Sequence, residues 1–402
     1  MTLQHARELD EADPLYPFRD RFLPADEKLV AYLDGNSLGR PPRAALDRLE
    51  ALVREDWAGR LIRGWSDGWT DLPTRLGDRL GEVVLGAGPG QVVLGESTSV
   101  WLYKLLRAAL ALRPGRREIV IDRHNFPTDR YLVEGIAEEL GCRIRWVEAP
   151  LDGGPTVDQV AEAIGPDTAV VTLSQVDYWS AQIADLPAIT RLAHEAGALV
   201  VWDLCHSAGS IPLSLDADEV DFAVGCTYKF LCGGPGSPAF AYVRGELAEQ
   251  VRQPIWGWFG RKDLFEMGPG YEPADGVRRL LSGTPPVVGL AGVEAGVELI
   301  AEAGMPRIRA KAMALTEFTV DLFDEWLAPL GFALGSPRDP AIRGGHVTIR
   351  RADARELSAA LVEAGVLIDF RAPDGIRLGL SPLTTGFEEL YRAVEVIRDR
   401  AR

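Results

Sequence analysis

An aspartate and a lysine are the residues of this chain whose types and spacing best suit covalent chemistry. Asp203 opens the segment DLCHSAG at 203–209, and Lys229 follows 26 residues later in VDFAVGCTYKF. A lysine amine can hold an aldehyde as a Schiff base, and an aspartate beside a pyridine nitrogen keeps that ring protonated and able to accept electrons. The pair therefore indicates a site for pyridoxal phosphate (PLP). Taken singly, Asp203 could cap a helix and Lys229 could be a solvated loop residue.

The elements around this pair predict an open α/β sheet. The apolar run ALVVWD ends at Asp203, and VDFAVG precedes Lys229. From about 92 to 245, short β-branched runs alternate with helical patterns, which is typical of repeated βαβ units and a mostly parallel sheet. Because ligands bind at the carboxyl ends of such strands, we expect Asp203 and Lys229 to meet at that edge.

The last third of the chain changes character. Amphipathic helices are predicted over 287–303 and 306–328. The runs HVTIR, VLIDF and GIRLGL, a helix over 353–365 and a final helix from about 386 predict a small α+β domain. The expected organisation is a large domain over 46–304 and a small domain made of 1–45 and 305–402.

Composition excludes several classes of partner. The formal charge of −16 argues against nucleic acid, because phosphate neutralisation requires a basic face. No apolar run approaches the roughly 20 residues that cross a bilayer, and the acidic start does not resemble a signal peptide, so we expect a cytoplasmic protein. The four cysteines lack metal-ligand spacing, which predicts buried free thiols and no metal.

A series of motifs resembles bacterial kynureninase, a PLP enzyme of the aspartate aminotransferase fold (PLP fold type I). In chain order these are YLDGNSLGRPP, LIRGW, GESTSVW, NFPTD, DLCHSAG, GCTYK, GWFG, SGTPP, DGIRLGLSPL and SPLTTGFEEL, from residue 32 to residue 390. The resemblance implies hydrolysis of L-kynurenine or 3-hydroxykynurenine to an anthranilate and L-alanine. In that reaction Lys229 is anchor and base, Asp203 holds the ring proton, and Tyr228 donates or orients a proton.

The resemblance also implies the residues that contact the cofactor. Ser97 and Thr98 would hold the phosphate, although a plain helix N-cap explains the same pattern. Phe126 would stack on the pyridine ring, with core packing as the alternative. The remaining implied contacts are Asp129, Ser174, His206, Tyr228, Trp258 and Thr284. Because Trp258 and Thr284 resemble positions that related enzymes supply from the neighbouring subunit, a homodimer is expected.

Four residues are implied for the amino-acid substrate. Arg377 would grip the α-carboxylate, since a guanidinium binds a carboxylate through two parallel hydrogen bonds; a solvent-facing strand arginine is the alternative. Asn36 and Ser37 would approach the same carboxylate, although Asn-Ser beside glycine is also ordinary turn chemistry. Trp65 would wall an aromatic pocket unless it is a core residue.

Departures from the family pattern leave the substrate open. The segment 178–181 reads Tyr-Trp-Ser-Ala where Tyr-Lys-Thr-Gly is usual, Arg261 replaces a His, and Thr384 replaces a Tyr. We expect Trp179, Ala181, Arg261 and Thr384 to tune the ring pocket, so a ring-modified kynurenine is possible.

The alternatives are another fold type I lyase, decarboxylase or racemase, and a PLP-fold binding protein without catalysis. A cysteine desulfurase would need a nucleophilic cysteine well after the lysine, and no cysteine follows Cys232.

Overall fold

The computed structural model describes residues 1–402 and contains thirteen strands in three sheets. The strands are β1 Ala31–Tyr32, β2 Val92–Gly95, β3 Glu118–Asp122, β4 Arg143–Val147, β5 Thr168–Ser174, β6 Leu199–Asp203, β7 Phe222–Gly225, β8 Ala239–Val243, β9 Ala333–Leu334, β10 His346–Arg350, β11 Val366–Leu367, β12 Asp369–Arg371 and β13 Gly375–Gly379.

The helices are α1 Leu3–Ala12, α2 Arg43–Ala51, α3 Ala58–Arg60, α4 Leu72–Leu80, α5 Thr98–Ala111, α6 Pro127–Leu140, α7 Val157–Ala163, α8 Leu186–Glu195, α9 Gly245–Ala248, α10 Val287–Ala303, α11 Met305–Leu322, α12 Ala354–Glu363 and α13 Phe387–Arg400. The four helices predicted in the last third of the chain, which are α10 to α13, lie close to their predicted positions. The helix expected over 306–328 ends at Leu322 and continues as a wider π-type segment, Phe323–Leu327. None of these helices is long and apolar enough to cross a membrane.

The central sheet has seven strands in the order β2-β8-β7-β6-β5-β3-β4. Only β8 runs antiparallel to its neighbours, so the predicted mostly parallel sheet is confirmed. Successive residues of β3 alternate between two apolar cores: Val120 joins one, and Ile119 and Ile121 join the other. Both faces are therefore covered, which explains why these strands are continuous apolar runs rather than alternating ones.

A second sheet, in the order β12-β13-β10-β9, forms the C-terminal part with a third core. The run VLIDF, expected as one strand, is two: β11 pairs with β1 and β12 pairs with β13. The two halves are hydrogen-bonded to different partners, and Ile368 between them points into the third core. Pairing of β1 with β11 ties the N-terminal segment to the C-terminal part. The exact domain limits at 45/46 and 304/305 stay a prediction.

Candidate active site

Asp203 is fixed at the carboxyl end of the central sheet. It ends β6 in register with Ser174, the last residue of β5. Its side chain accepts a hydrogen bond from the Cys205 N–H at 2.7 Å and one from the Ser174 hydroxyl at 3.4 Å. Ser174 Oγ also lies 2.9 Å from Asn125 Oδ1, so three neighbouring segments share in orienting the carboxylate.

Asp129 supplies a second carboxyl group behind Asp203. It lies in the first turn of α6 and is 4% exposed. Burial, followed by the charge of Asp203, raises the pKa of Asp129 well above its usual range. A protonated Asp129 can donate a hydrogen bond to Asp203, with which it is in contact.

Lys229 reaches the same edge from the loop after β7. Its Nζ lies 3.3 Å from His206 Nε2 and 6.0 Å from the centre of the Phe126 ring. Burial, with the charge of Lys229 next, lowers the pKa of His206 well below its usual range, so the imidazole is neutral and can accept from the amine. Phe126 is half-buried and meets the Tyr178 ring edge-on at 5.4 Å, so it forms a wall beside Lys229 rather than core.

A cleft of about 470 Å³ lies at the start of α5. Ser97, Thr98, Tyr228 and Thr284 are among the residues that line it. The Ser97 hydroxyl accepts from the Val100 N–H at 3.4 Å, so this side chain does serve as the N-cap. The helix end itself directs positive partial charge into the cleft, which suits a phosphate. Thr284, expected to reach the site of a neighbouring subunit, lines the cleft of its own chain.

The guanidinium of Arg377 is enclosed by protein. Its residue is 1% exposed, so the solvent-facing alternative is wrong. Nη2 donates to Ser37 Oγ at 3.1 Å and forms an ion pair with Asp369, while Nη1 donates to the Tyr178 carbonyl at 2.5 Å. Nε has no partner. Arg377 therefore joins the small sheet, the N-terminal turn and the end of β5.

The N-terminal turn with Asn36 and Ser37 packs directly on the lysine loop. The Gly39 N–H donates to the Tyr228 carbonyl at 2.8 Å, and a Cβ at Gly39 would come within 2.3 Å of the Lys229 carbonyl oxygen. Only glycine allows this approach. Asn36 is fully buried with neither amide atom paired, which leaves a donor and an acceptor available beside Arg377's strand.

Trp65 and Trp258 belong to a separate aromatic cluster. The Trp65 ring lies 5.8 Å from Phe259 and 5.4 Å from Trp69, and the Trp258 ring lies 4.7 Å from Phe259. No ring contact joins this cluster to Phe126. Within one chain, the structure thus brings together Trp65 and Trp258 but does not bring them to Lys229.

The four departures are not alike in position. Trp179 is fully buried, its indole N–H donates to the Ala372 carbonyl at 3.1 Å, and its ring packs on Gly335 and Gly375. It fills the contact between the turn after β5 and the small sheet, and its effect on the ring pocket stays a prediction. Thr384 is also buried, and Ala181 takes a φ of 68° in the turn after β5. Arg261 pairs with Glu266 in a surface loop.

Sequence reasoning missed His346, which starts β10. It is fully buried, both ring nitrogens lack partners, and its ring centre lies 5.7 Å from that of His206. An unpaired buried imidazole costs free energy unless a bound group or water satisfies it. The only sequence signal was a histidine opening an apolar strand after two glycines.

These side chains fit PLP. They offer an amine for the aldehyde, a buried carboxylate for the ring nitrogen, an aromatic wall, and hydroxyls at a helix start for the phosphate. Unpaired atoms of Asn36 and His346 leave further polar groups for a ligand.

Solved structures share this fold over nearly the whole chain. A cysteine desulfurase from Thermococcus onnurineus NA1 has a TM-score of 0.80 at 18% identity and covers 98% of this chain and 97% of its own. The cystine lyase C-DES, as a K223A mutant with glycine covalently linked to its PLP cofactor, has a TM-score of 0.81 at 20% identity, covering 91% of this chain and 96% of that one. Fold and site together define the class, a fold type I PLP-dependent enzyme.

Sequence relatives give the family. A kynureninase of Pseudomonas fluorescens is 44% identical over 97% of this chain and 93% of that protein. A kynureninase of Burkholderia pseudomallei (strain 1106a) is 41% identical over 99% and 95%. The model of the kynureninase C-terminal domain matches residues 308–397. The chain belongs to the kynureninase family.

Proposed function

We propose that this protein hydrolyses the Cβ–Cγ bond of L-kynurenine, or of a ring-substituted kynurenine, to an anthranilate and L-alanine. The family supports the reaction, and one observation of the site carries it: the Lys229 amine lies beside the neutral His206 and the Phe126 wall, at the sheet edge that Asp203 closes. Kynurenine and water contain together the atoms of the two products, so no other reactant is required.

PLP, when bound, supplies the electron sink for bond breaking next to the substrate's α carbon. Lys229 anchors the cofactor and then moves the proton at the α carbon. Asp203, backed by the proton of Asp129, holds the proton on the ring nitrogen. Tyr228 keeps its phenolic proton because burial raises its pKa, and it can donate a hydrogen bond in the cleft.

Arg377 binds the substrate α-carboxylate in this proposal. Its burial strengthens a charge-assisted hydrogen bond, and Ser37 and the Tyr178 carbonyl hold the guanidinium in one plane. Asn36 offers its unpaired amide to the same group. Ser97, Thr98 and Thr284 hold the phosphate at the α5 start, and Ser174 and His206 orient groups around the ring.

A homodimer with shared sites explains the aromatic cluster. No ring contact, cation–π contact or hydrogen bond joins Trp65 or Trp258 to Lys229 of their own chain, and Trp258 is 36% exposed. In a dimer Trp65 would wall the substrate ring pocket of the partner site, and Trp258 would contact the cofactor there. A cytoplasmic location is supported by four free cysteines, since oxidising compartments favour disulfides.

The test compares products from several amino acids. Purified protein with PLP is incubated with L-kynurenine, 3-hydroxykynurenine and L-cysteine, and alanine and the aromatic product are quantified. We expect alanine and an anthranilate in equal amounts from at least one kynurenine. Alanine from cysteine alone would favour the desulfurase alternative, and decarboxylated or racemised amino acid without alanine would favour the others.

A further inference from the structure

Lys104 is a buried cation in the middle of α5. Its side chain is fully buried, and its Nζ lies 4.8 Å from the centre of the Trp101 ring. All three donor positions are used: Nζ donates to Glu96 Oε1 at 2.8 Å, to the Leu280 carbonyl at 2.9 Å and to Ser282 Oγ at 2.8 Å. Burying an ammonium is costly, and a methionine of similar length would pack in an apolar site without that cost.

The partners of Lys104 belong to the two walls of the α5 cleft. Glu96 directly precedes Ser97, lines the cleft, and takes a φ of 49°, which is strained for a residue other than glycine. Leu280 and Ser282 lead to Thr284 in the opposite wall. Through these three hydrogen bonds Lys104 holds Glu96 in its turn and connects residues 95–98 to residues 280–284.

We infer that Lys104 is a positioning residue for the cofactor phosphate: it sets the distance between the two walls and neutralises Glu96 beside the anion. This inference rests on the proposed PLP site and adds a residue that does not line the cleft. Removing the ammonium would leave the Glu96 carboxylate next to a phosphate dianion, and would free the two walls to move apart. The resulting loss of binding affinity should therefore be larger for a ligand that carries a phosphate than for one that lacks it.

The test measures binding of PLP and of pyridoxal, which lacks the phosphate, to cofactor-free protein. In Lys104→Met the Kd for PLP should rise about tenfold or more, the loss of a charge-assisted contact, while the Kd for pyridoxal changes by less than about threefold. Lys311→Met is the matched control, because Lys311 is an equally buried helical lysine paired with Asp13, away from the cleft. In Lys311→Met the ratio of the Kd for PLP to the Kd for pyridoxal should equal the ratio in the wild type.

Ser282→Ala is a second variant that tests the same contact if Lys104→Met does not fold. It removes one of the three acceptors of Lys104 and should shift the ratio in the same direction by about threefold, the loss of one neutral hydrogen bond. Equal weakening of PLP and pyridoxal, or no change in either, would overturn the inference. Failure of the wild type to bind PLP at Lys229 would instead overturn the proposed function, so the two failures are distinguishable.

Discussion

Arg377 is held by three groups of its own chain, among them another residue's carboxylate. Asp369 pairs both with Arg377 and, at 2.8 Å, with Arg371, whose side chain is 37% exposed. The two arginines therefore share one anion but differ in burial. Arg377 is 1% exposed, and because its Nη1 and Nη2 are already paired, its Nε is the donor left for a ligand.

Arg377→Lys should lower kcat/KM for L-kynurenine by about ten- to hundredfold, because lysine keeps the charge but loses the planar pair of donors. The Kd for PLP should be unchanged. Arg371→Lys is the matched control and should alter kcat/KM by less than about threefold, the range of an exposed ion pair. Loss of PLP with an intact kcat/KM would assign Arg377 to the scaffold instead.

Individual residues were predictable where their chemistry is rare. The meeting point of Asp203 and Lys229 was predictable, since both follow apolar runs that are typical of buried strands. Trp179 and Phe126 show where the sequence alone does not separate a packing residue from a site residue. Both are large aromatic residues next to polar ones, and only the packing separates a side chain that packs against the small sheet from one that faces Lys229.

The turns after β3 and β5 contain buried carboxyl groups. Burial, with the charge of Asp177 next, raises the pKa of Asp122 to about 7. Burial likewise raises the pKa of Asp177 to about 6, although its side chain caps the turn by accepting from the Trp179 and Ser180 N–H groups. Folding thus makes both groups bind protons more tightly than they do in the unfolded chain.

Asp122→Asn should remove a pH dependence of stability. Between pH about 4 and about 7 the native Asp122 is protonated while the unfolded one is ionised, so the wild-type free energy of unfolding falls as pH rises, by at most about 1.4 kcal/mol per pH unit. The asparagine can still accept from the His124 N–H. Denaturant unfolding at pH 5 and pH 8 should show that the free energy of unfolding of the variant, relative to that of the wild type, is higher at pH 8 than at pH 5.

The exposed Asp158→Asn serves as the control for that comparison and should track the wild type at both pH values. A constant difference between Asp122→Asn and the wild type would mean that Asp122 is ionised in the folded protein throughout.

Elements were predictable where the chain has a clear helical period or a continuous apolar run. The helices at 287 and 387 and the strands of the central sheet follow their apolar patterns, because each buries a continuous face. The split of VLIDF and the pairing of β1 with β11 were not, since two-residue strands carry no period and depend on partners more than 300 residues away. The contact of Gly39 with the lysine loop was not predictable either, because it joins segments that are far apart in the sequence.

Several large apolar side chains are exposed in the segment that precedes Trp65 in the chain. Trp57, Leu61 and Ile62 are 56%, 61% and 77% exposed, and Leu46, Val53 and Val288 are also exposed. They lie on or beside the segment that leads to Trp65. Exposed large apolar side chains are typical of interaction sites, and their place in the chain just before Trp65 supports the proposed dimer.

Ile62→Asp should shift the protein from dimer to monomer, because the interface would have to bury an unpaired carboxylate. Val362→Asp is the control, since Val362 is 46% exposed but lies on α12, about 300 residues further along the chain than Ile62. Light scattering coupled to size exclusion gives the masses. A dimeric Ile62→Asp, or a monomeric wild type, would contradict the proposed arrangement.

In the proposed function, cleavage of kynurenine depends on Lys229. Release of L-alanine from L-kynurenine or 3-hydroxykynurenine is therefore compared between PLP-supplemented wild type and Lys229→Ala. We expect the wild type to release alanine and an anthranilate in equal amounts, and Lys229→Ala, which lacks both the covalent anchor and the base, to bind PLP without turnover. Equal alanine release by the two proteins, or none from either kynurenine by the wild type, would contradict the account.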